Sequence, residues 1–138
     1  MKDQLKKLNL IDLISEKHIV LRREVEQRWE RTMESEISHT EAMLLAKLSM
    51  GRIALAEVAR QANISRQAMS KCAKQLEVKG YLVFEAEGKG KYARLTEKGQ
   101  EYCENSKKLK QAIEKEITEK IGKEAISLLK NLLAEDWL

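Results

Sequence analysis

The segment from residue 55 to residue 80 constrains the fold more than any other part of the chain. It opens with a short apolar row at helical spacing, formed by Leu55, Val58, Ala59 and Ala62. Asn63-Ile64-Ser65 then has the composition of a tight turn, and Ser65 is a favourable N-cap. A second row, Met69, Cys72, Ala73 and Leu76, precedes Gly80, which is typical of a helix C-terminus. The pattern predicts two helices joined by a tight turn.

The residues that follow predict a β-hairpin. Residues 81–84 are rich in strand-forming side chains, and residues 91–95 form a second such run. Between them, Glu87-Gly88-Lys89-Gly90 has the composition of a hairpin turn. Two helices followed by a two-stranded hairpin indicate a winged helix-turn-helix, in which the second helix enters the major groove of DNA.

Amphipathic helices are predicted on both sides of this motif. We expect helices over about residues 3–14 and 16–36, the second with the row Leu21, Val25, Trp29 and Met33. Ser38-His39-Thr40-Glu41 fits a capping box that opens a helix to about residue 48, with Met43, Leu44 and Leu48 on its apolar side. Thr96 can cap a helix over about residues 97–119, and a last helix follows Gly122. The fold class is therefore predicted to be mainly α, with a two-stranded wing and long terminal helices.

Charge is distributed unevenly along the chain. The total is only +4, yet residues 60–94 contain eight basic and three acidic side chains, a net charge of +5. One module therefore contains the whole positive excess, as expected of a surface that binds a polyanion.

The predicted second helix has an outward face with several hydrogen-bond donors and no acid. Arginine and lysine can donate to guanine and glutamine can pair with adenine, while cations near the hairpin suit the DNA backbone. The candidate DNA-binding residues are Ser65, Arg66, Gln67, Ser70, Lys71, Lys74, Lys89, Lys91 and Arg94.

The terminal helices have longer apolar rows than a core this small can cover. We therefore expect a homodimer, in which two recognition helices lie about 34 Å apart on a pseudo-palindromic site. The candidate dimerisation residues are Leu5, Leu8, Ile11, Leu109, Ile113, Ile117, Leu129 and Leu133. The predicted division is N-terminal dimerisation helices at 1–37, a DNA-binding domain at 38–96 and C-terminal dimerisation helices at 97–138, in one structural unit.

Residues 38–99 resemble the MarR family of bacterial winged-helix regulators. The resemblance rests on Ser38-His39-Thr40-Glu41, Glu57-Val58-Ala59, the segments 64–70 and 76–82, and Leu95-Thr96-Glu97-Lys98-Gly99. The resemblance implies an obligate homodimer, and we expect this homodimer to regulate transcription as a repressor. Many members of the family release DNA when a small aromatic ligand binds, and the sequence leaves open whether this chain has such an effector, whose identity would be unknown. The hairpin tip departs from the family, because lysines stand where an Asp-x-Arg pattern is usual, so phosphate contact is implied there.

Other functions are disfavoured. No nucleophile, base and orienting residue can be assembled, no nucleotide motif is present, and two histidines with two distant cysteines do not form a metal-ligand pattern. We therefore expect no enzyme activity and no cofactor. Without a signal peptide or membrane span, and with few cysteines, we expect a cytoplasmic protein. The remaining alternative is a dimeric protein-interaction module that keeps the winged-helix fold without specific DNA readout.

Overall fold

A computed structural model describes residues 2–31 and 36–138. In these residues the chain forms seven helices and two strands: α1 (Lys2–Leu5), α2 (Leu10–Glu30), α3 (His39–Met50), α4 (Leu55–Ala62), α5 (Arg66–Val78), β1 (Leu82–Phe84), β2 (Ala93–Leu95), α6 (Glu97–Ile121) and α7 (Lys123–Ala134). The predicted order of five helices, a hairpin and two helices is confirmed. None of the described helices is long and apolar enough to span a membrane.

The chain divides into two compact units. The terminal unit comprises residues 1–34 and 108–138, and the central unit comprises residues 35–107. Helix α6 contributes its first part to the central unit and its remainder to the terminal unit.

The core of the central unit forms between α3, α4, α5 and the hairpin. Its largest fully buried side chains are Leu44, Leu45, Val58, Met69, Leu76 and Leu82. The predicted α5 row is confirmed, because all four of its residues are buried. On α3, Leu45 is fully buried although it was not predicted, and Met43 is only half-buried.

The predicted boundary of the first helix was wrong. The chain is not helical from 3 to 14, because α1 ends at Leu5 and α2 begins at Leu10. Asn9 caps α2, because its side-chain oxygen accepts from the Asp12 backbone amide at 2.8 Å. The Asn9 side-chain amide also donates to the Asp12 carboxylate at 2.9 Å. An asparagine three residues before an aspartate was a start signal present in the sequence. α2 then runs unbroken to Glu30, and Met33 of the predicted row lies outside the described residues.

The predicted helix caps of the central unit are confirmed. Ser38 and Glu41 form a reciprocal capping box at the start of α3, and Ser65 accepts from the Ala68 amide at 3.0 Å at the start of α5. Asn63 ends α4 in the left-handed conformation (φ 55°), which turns the chain toward α5. Ala54 precedes α4 without any side-chain cap.

The terminal unit leaves many apolar side chains uncovered in the single chain. Ile113 is buried at 7% exposure, but large apolar residues on α2, α6, α7 and the tail remain between 40% and fully exposed. They include Leu10, Ile11, Ile14, Ile19, Val20, Leu21, Ile121, Leu128, Leu129, Leu132, Leu133 and Trp137.

Candidate DNA-binding surface

Helix α5 presents one polar face to solvent. The i, i+3 and i+4 spacing of helical residues places its outward side chains in one strip, opposite the buried row. A groove of about 980 Å³ runs along this strip, lined by Ser65, Gln67, Ala68, Ser70, Lys71, Lys74, Gln75, Val78 and Lys79. The helix start has the Ser65 cap and no acidic side chain in its first turn. Its amides and positive dipole end are therefore available to an anion.

The hairpin forms the wing and presents its cations near the tip. Strands β1 and β2 pair antiparallel, with Val83 opposite Arg94. Lys89 (φ 50°) and Gly90 (φ 80°) both have positive φ in the turn, which glycine adopts without steric cost. Lys89, Lys91 and Arg94 are all exposed.

The wing contacts the rest of the central unit through interactions that were not predicted from the sequence. The Arg52 guanidinium lies 3.6 Å from the centre of the Tyr92 ring and 3.0 Å from the Glu85 carboxylate. The Lys91 carbonyl accepts from the Leu55 amide at 2.9 Å, which joins the wing to the first residue of α4. The base of the wing is thus fixed beside the helix-turn-helix, while its lysines remain in solvent.

All nine candidate DNA-binding residues are exposed in the structure. Six of them are cations, and within residues 2–31 and 36–138 none of the six forms an ion pair or a side-chain hydrogen bond. They are Arg66, Lys71, Lys74, Lys89, Lys91 and Arg94.

Two other basic residues in the 60–94 segment have internal partners. Arg60 is paired with Glu57, and the hydrogen bond from Arg60 lowers the pKa of the Glu57 carboxyl to about 2. Lys79 is paired with the buried Glu41. Of the eight basic residues in this segment, six are therefore without an ion-pair partner among the described residues.

The candidate dimerisation residues have different environments in the single chain. Ile11, Leu129 and Leu133 are 76%, 46% and 54% exposed. Leu5, Leu8, Leu109 and Ile117 are half-buried, and Ile113 packs inside its own chain. Ile113 therefore offers little surface to a second copy.

Among the described residues no group of three histidine, cysteine or acidic side chains is close enough to bind a metal ion. Cys72 is buried on the inner face of α5. Burial, with a smaller contribution from the negative charge of Glu41, raises the pKa of its thiol to about 11.

Comparison with known proteins relates this fold to solved structures. No protein-family model and no curated protein matches the sequence. The MarR family protein Rv2887 of Mycobacterium tuberculosis, solved in complex with DNA, superposes with a TM-score of 0.73 at 23% identity, covering 92% of this chain and 96% of that one. The chain has the MarR fold.

Two further solved structures superpose on the chain. MepR, a transcription regulator of the Staphylococcus aureus multidrug efflux pump MepA, superposes with a TM-score of 0.69 at 15% identity, covering 91% of this chain and 94% of its own. A mutant of MarR from E. coli superposes with a TM-score of 0.70 at 19% identity and the same coverage. The predicted winged helix-turn-helix fold is thereby confirmed.

Proposed function

We propose that the protein is a non-enzymatic, cytoplasmic transcriptional regulator of the MarR family that binds specific double-stranded DNA sites and represses transcription. One observation supports this above the others. On a winged helix-turn-helix, six exposed cations of α5 and the wing have no ion-pair partner among the described residues, whereas Arg52, Arg60, Lys79 and Lys98 of the same unit are all paired. Unpaired cations on one surface suit phosphate binding, because no internal ion pair has to be broken.

The two elements have separate roles in this proposal. The start of α5 enters the major groove, where Arg66, Gln67 and Lys71 meet base edges and Ser65 with its amides meets a phosphate. The wing lies along the backbone, where Lys89 and Lys91 contact phosphates without reading sequence. The groove along the outward face of α5 supports this assignment, because no side chain of another described element lines it.

We further propose that the DNA-binding form is a homodimer joined through the terminal helices, in the division 1–37, 38–96 and 97–138. Large apolar residues of the terminal unit stay exposed in one chain, and such surface is normally covered in solution. A twofold axis would present two copies of α5 to half-sites about 34 Å apart.

The proposed function also includes a small-molecule effector. Rv2887 has also been solved with salicylic acid, at a TM-score of 0.70 and 24% identity to this chain, and with p-aminosalicylic acid. We propose that a small aromatic carboxylate weakens DNA binding by this protein as well. Titration of the protein–DNA complex with a panel of such acids tests this, and DNA affinity unchanged across the panel would refute it.

Selection of bound fragments from random double-stranded DNA, at fixed salt, tests the central proposal. We expect enrichment of one pseudo-palindromic sequence, bound by two chains. A protein that enriches no sequence but remains dimeric would instead support the protein-interaction module.

A further inference from the structure

The end of α5 farthest from the proposed base contacts is bound by two other helices. Residues 79–81, which we call the α5 anchor, contact the start of α3 through a side chain and the start of α6 through three backbone carbonyls. No part of the proposed function assigns a role to these contacts.

Lys79 forms the α3 side of the anchor. Its ammonium donates to the Glu41 carboxylate oxygens at 3.0 and 2.9 Å and to the Glu36 carbonyl at 2.7 Å. An ammonium has three N–H donors, so none remains for a phosphate. Although Lys79 also lines the groove along α5, its charge is directed to a carboxylate that is only 4% exposed.

The Glu41 carboxylate is held in place independently of Lys79. It also accepts from the Ser38 amide at 2.9 Å within the capping box. Burial by itself would raise the pKa of Glu41, but the hydrogen bonds from Ser38 and Lys79 outweigh burial and lower it. Glu41 is therefore a charged, fixed partner at neutral pH.

Helix α6 forms the other side of the anchor. Lys98 donates to the Lys79 carbonyl at 2.9 Å, and the Thr96 hydroxyl donates to the Gly80 carbonyl at 2.6 Å. The Thr96 amide donates to the Tyr81 carbonyl at 3.1 Å. A β-carbon added at Gly99 would lie 2.1 Å from that carbonyl oxygen, so only glycine allows this approach.

We propose that Lys79 is a positioning residue for DNA binding, which sets the direction of α5 through Glu41 rather than touching DNA. The proposal rests on the proposed function. α5 has 13 residues and is therefore about 20 Å long, so a rotation of about 10° at the anchor would move its reading end by about 3 Å. That displacement exceeds what base-edge hydrogen bonds tolerate, whereas phosphate contacts by flexible lysines can adjust.

The experiment compares Lys79→Met with Lys74→Met, a matched loss of one lysine from the same helix. Affinity for the selected site and for random DNA is measured across a salt series. Lys74→Met should weaken both and reduce the salt slope by about 1. Lys79→Met should weaken only the selected site, by about tenfold, the scale of one lost base contact, with the slope unchanged. Lys79→Arg should recover part of the specificity.

A reduced salt slope for Lys79→Met would overturn the proposal, because it would show that the Lys79 charge contacts phosphate. The double variant Glu41→Gln/Lys79→Met removes the charge left buried in the single variant, and circular dichroism checks that it folds. If this folded double variant read DNA with wild-type specificity, the anchor would be unnecessary and the proposal refuted.

Hydrogen exchange of the protein without DNA tests the anchoring role of Lys79 separately from the proposed function. Amide hydrogen exchange at residues 79–81 should accelerate in Lys79→Met and not in Lys74→Met. A wild-type protein that prefers no sequence would refute the proposed function, and unchanged exchange in Lys79→Met would independently refute the anchoring role.

Discussion

Apart from Lys47 and Lys107, the lysines and arginines of the central unit fall into two sets according to their partners. The internal set is paired with carboxylates or stacked on aromatic rings, and it stabilises the wing base and the helix ends. Cations of the second set have no such partner among the described residues and lie on α5 and the wing. The cations of this second set should govern DNA binding, and those on α5 should affect affinity differently from those on the wing.

Substitutions on α5 and on the wing should therefore have distinguishable effects. Arg66→Ala and Gln67→Ala should each cost about 1–3 kcal/mol at the selected site and relax the preference at one base position. Lys89→Ala and Lys91→Ala should weaken binding to every DNA alike and reduce the salt slope. Competition binding at several salt concentrations measures both effects. If the two wing substitutions reduced sequence preference as much as the two α5 substitutions, the division of roles would be contradicted.

The two thiols should differ in reactivity. With a pKa of about 11, roughly one Cys72 thiol in a thousand is ionised at pH 8, and burial blocks access to it. Alkylation of the native protein at pH 8 should therefore modify Cys72 only after unfolding. Peptide mass analysis of native and denatured samples measures this, with the partly exposed Cys103 as internal reference. Rapid native labelling of Cys72 would contradict its packing in the core.

Among the features of the helices and strands, local sequence determines the helix ends best in this chain. The α3 capping box, the Ser65 cap and the Gly80 terminus (φ 87°) were predicted from neighbouring residues and are confirmed. The same rules would have placed the start of α2 had Asn9 been recognised as its cap. α4 lacks such a signal at its start, because Ala54 offers its N-terminus no side-chain acceptor.

A serine at position 54 should stabilise the protein. The Ala54 backbone (φ −69°, ψ 141°) already has the extended conformation of an N-cap, so Ala54→Ser should add about 1 kcal/mol. Urea denaturation at fixed protein concentration measures this. Ala56→Ser, inside the same helix, is the matched control and should be neutral or slightly destabilising. An equal gain from both serines would show that capping is not the cause.

At the scale of the whole molecule, the terminal unit contrasts with the central one. The central unit buries its apolar rows within a single chain, whereas in the terminal unit only Ile113 is buried among the described residues. The protein as a whole is therefore expected to complete its apolar packing by self-association.

Acidic residues on α7 should dissociate the proposed dimer. Leu129 and Leu133 are about half exposed, and covering each contributes about 1 kcal/mol, so losing both from two chains should cost roughly 4 kcal/mol, or about a thousandfold in dissociation constant. Sedimentation of Leu129→Glu/Leu133→Glu should show monomers at micromolar concentration. Met50→Glu, at an 83% exposed position of the central unit, is the control and should remain dimeric. A dimeric double variant would contradict the proposed interface.

Periodicity, turn composition and caps in the sequence were enough to predict the order of elements, the buried row of α5 and its exposed polar face. These features depend on residues within a few positions of one another. Tertiary structure alone decided that Lys79 and Arg52 are paired, because Lys79 meets a carboxylate 38 residues earlier and Arg52 meets one 33 residues later. Such pairs form only when packing brings distant segments together, so a count of charges along the chain cannot distinguish a lysine that faces solvent from one that orients a helix.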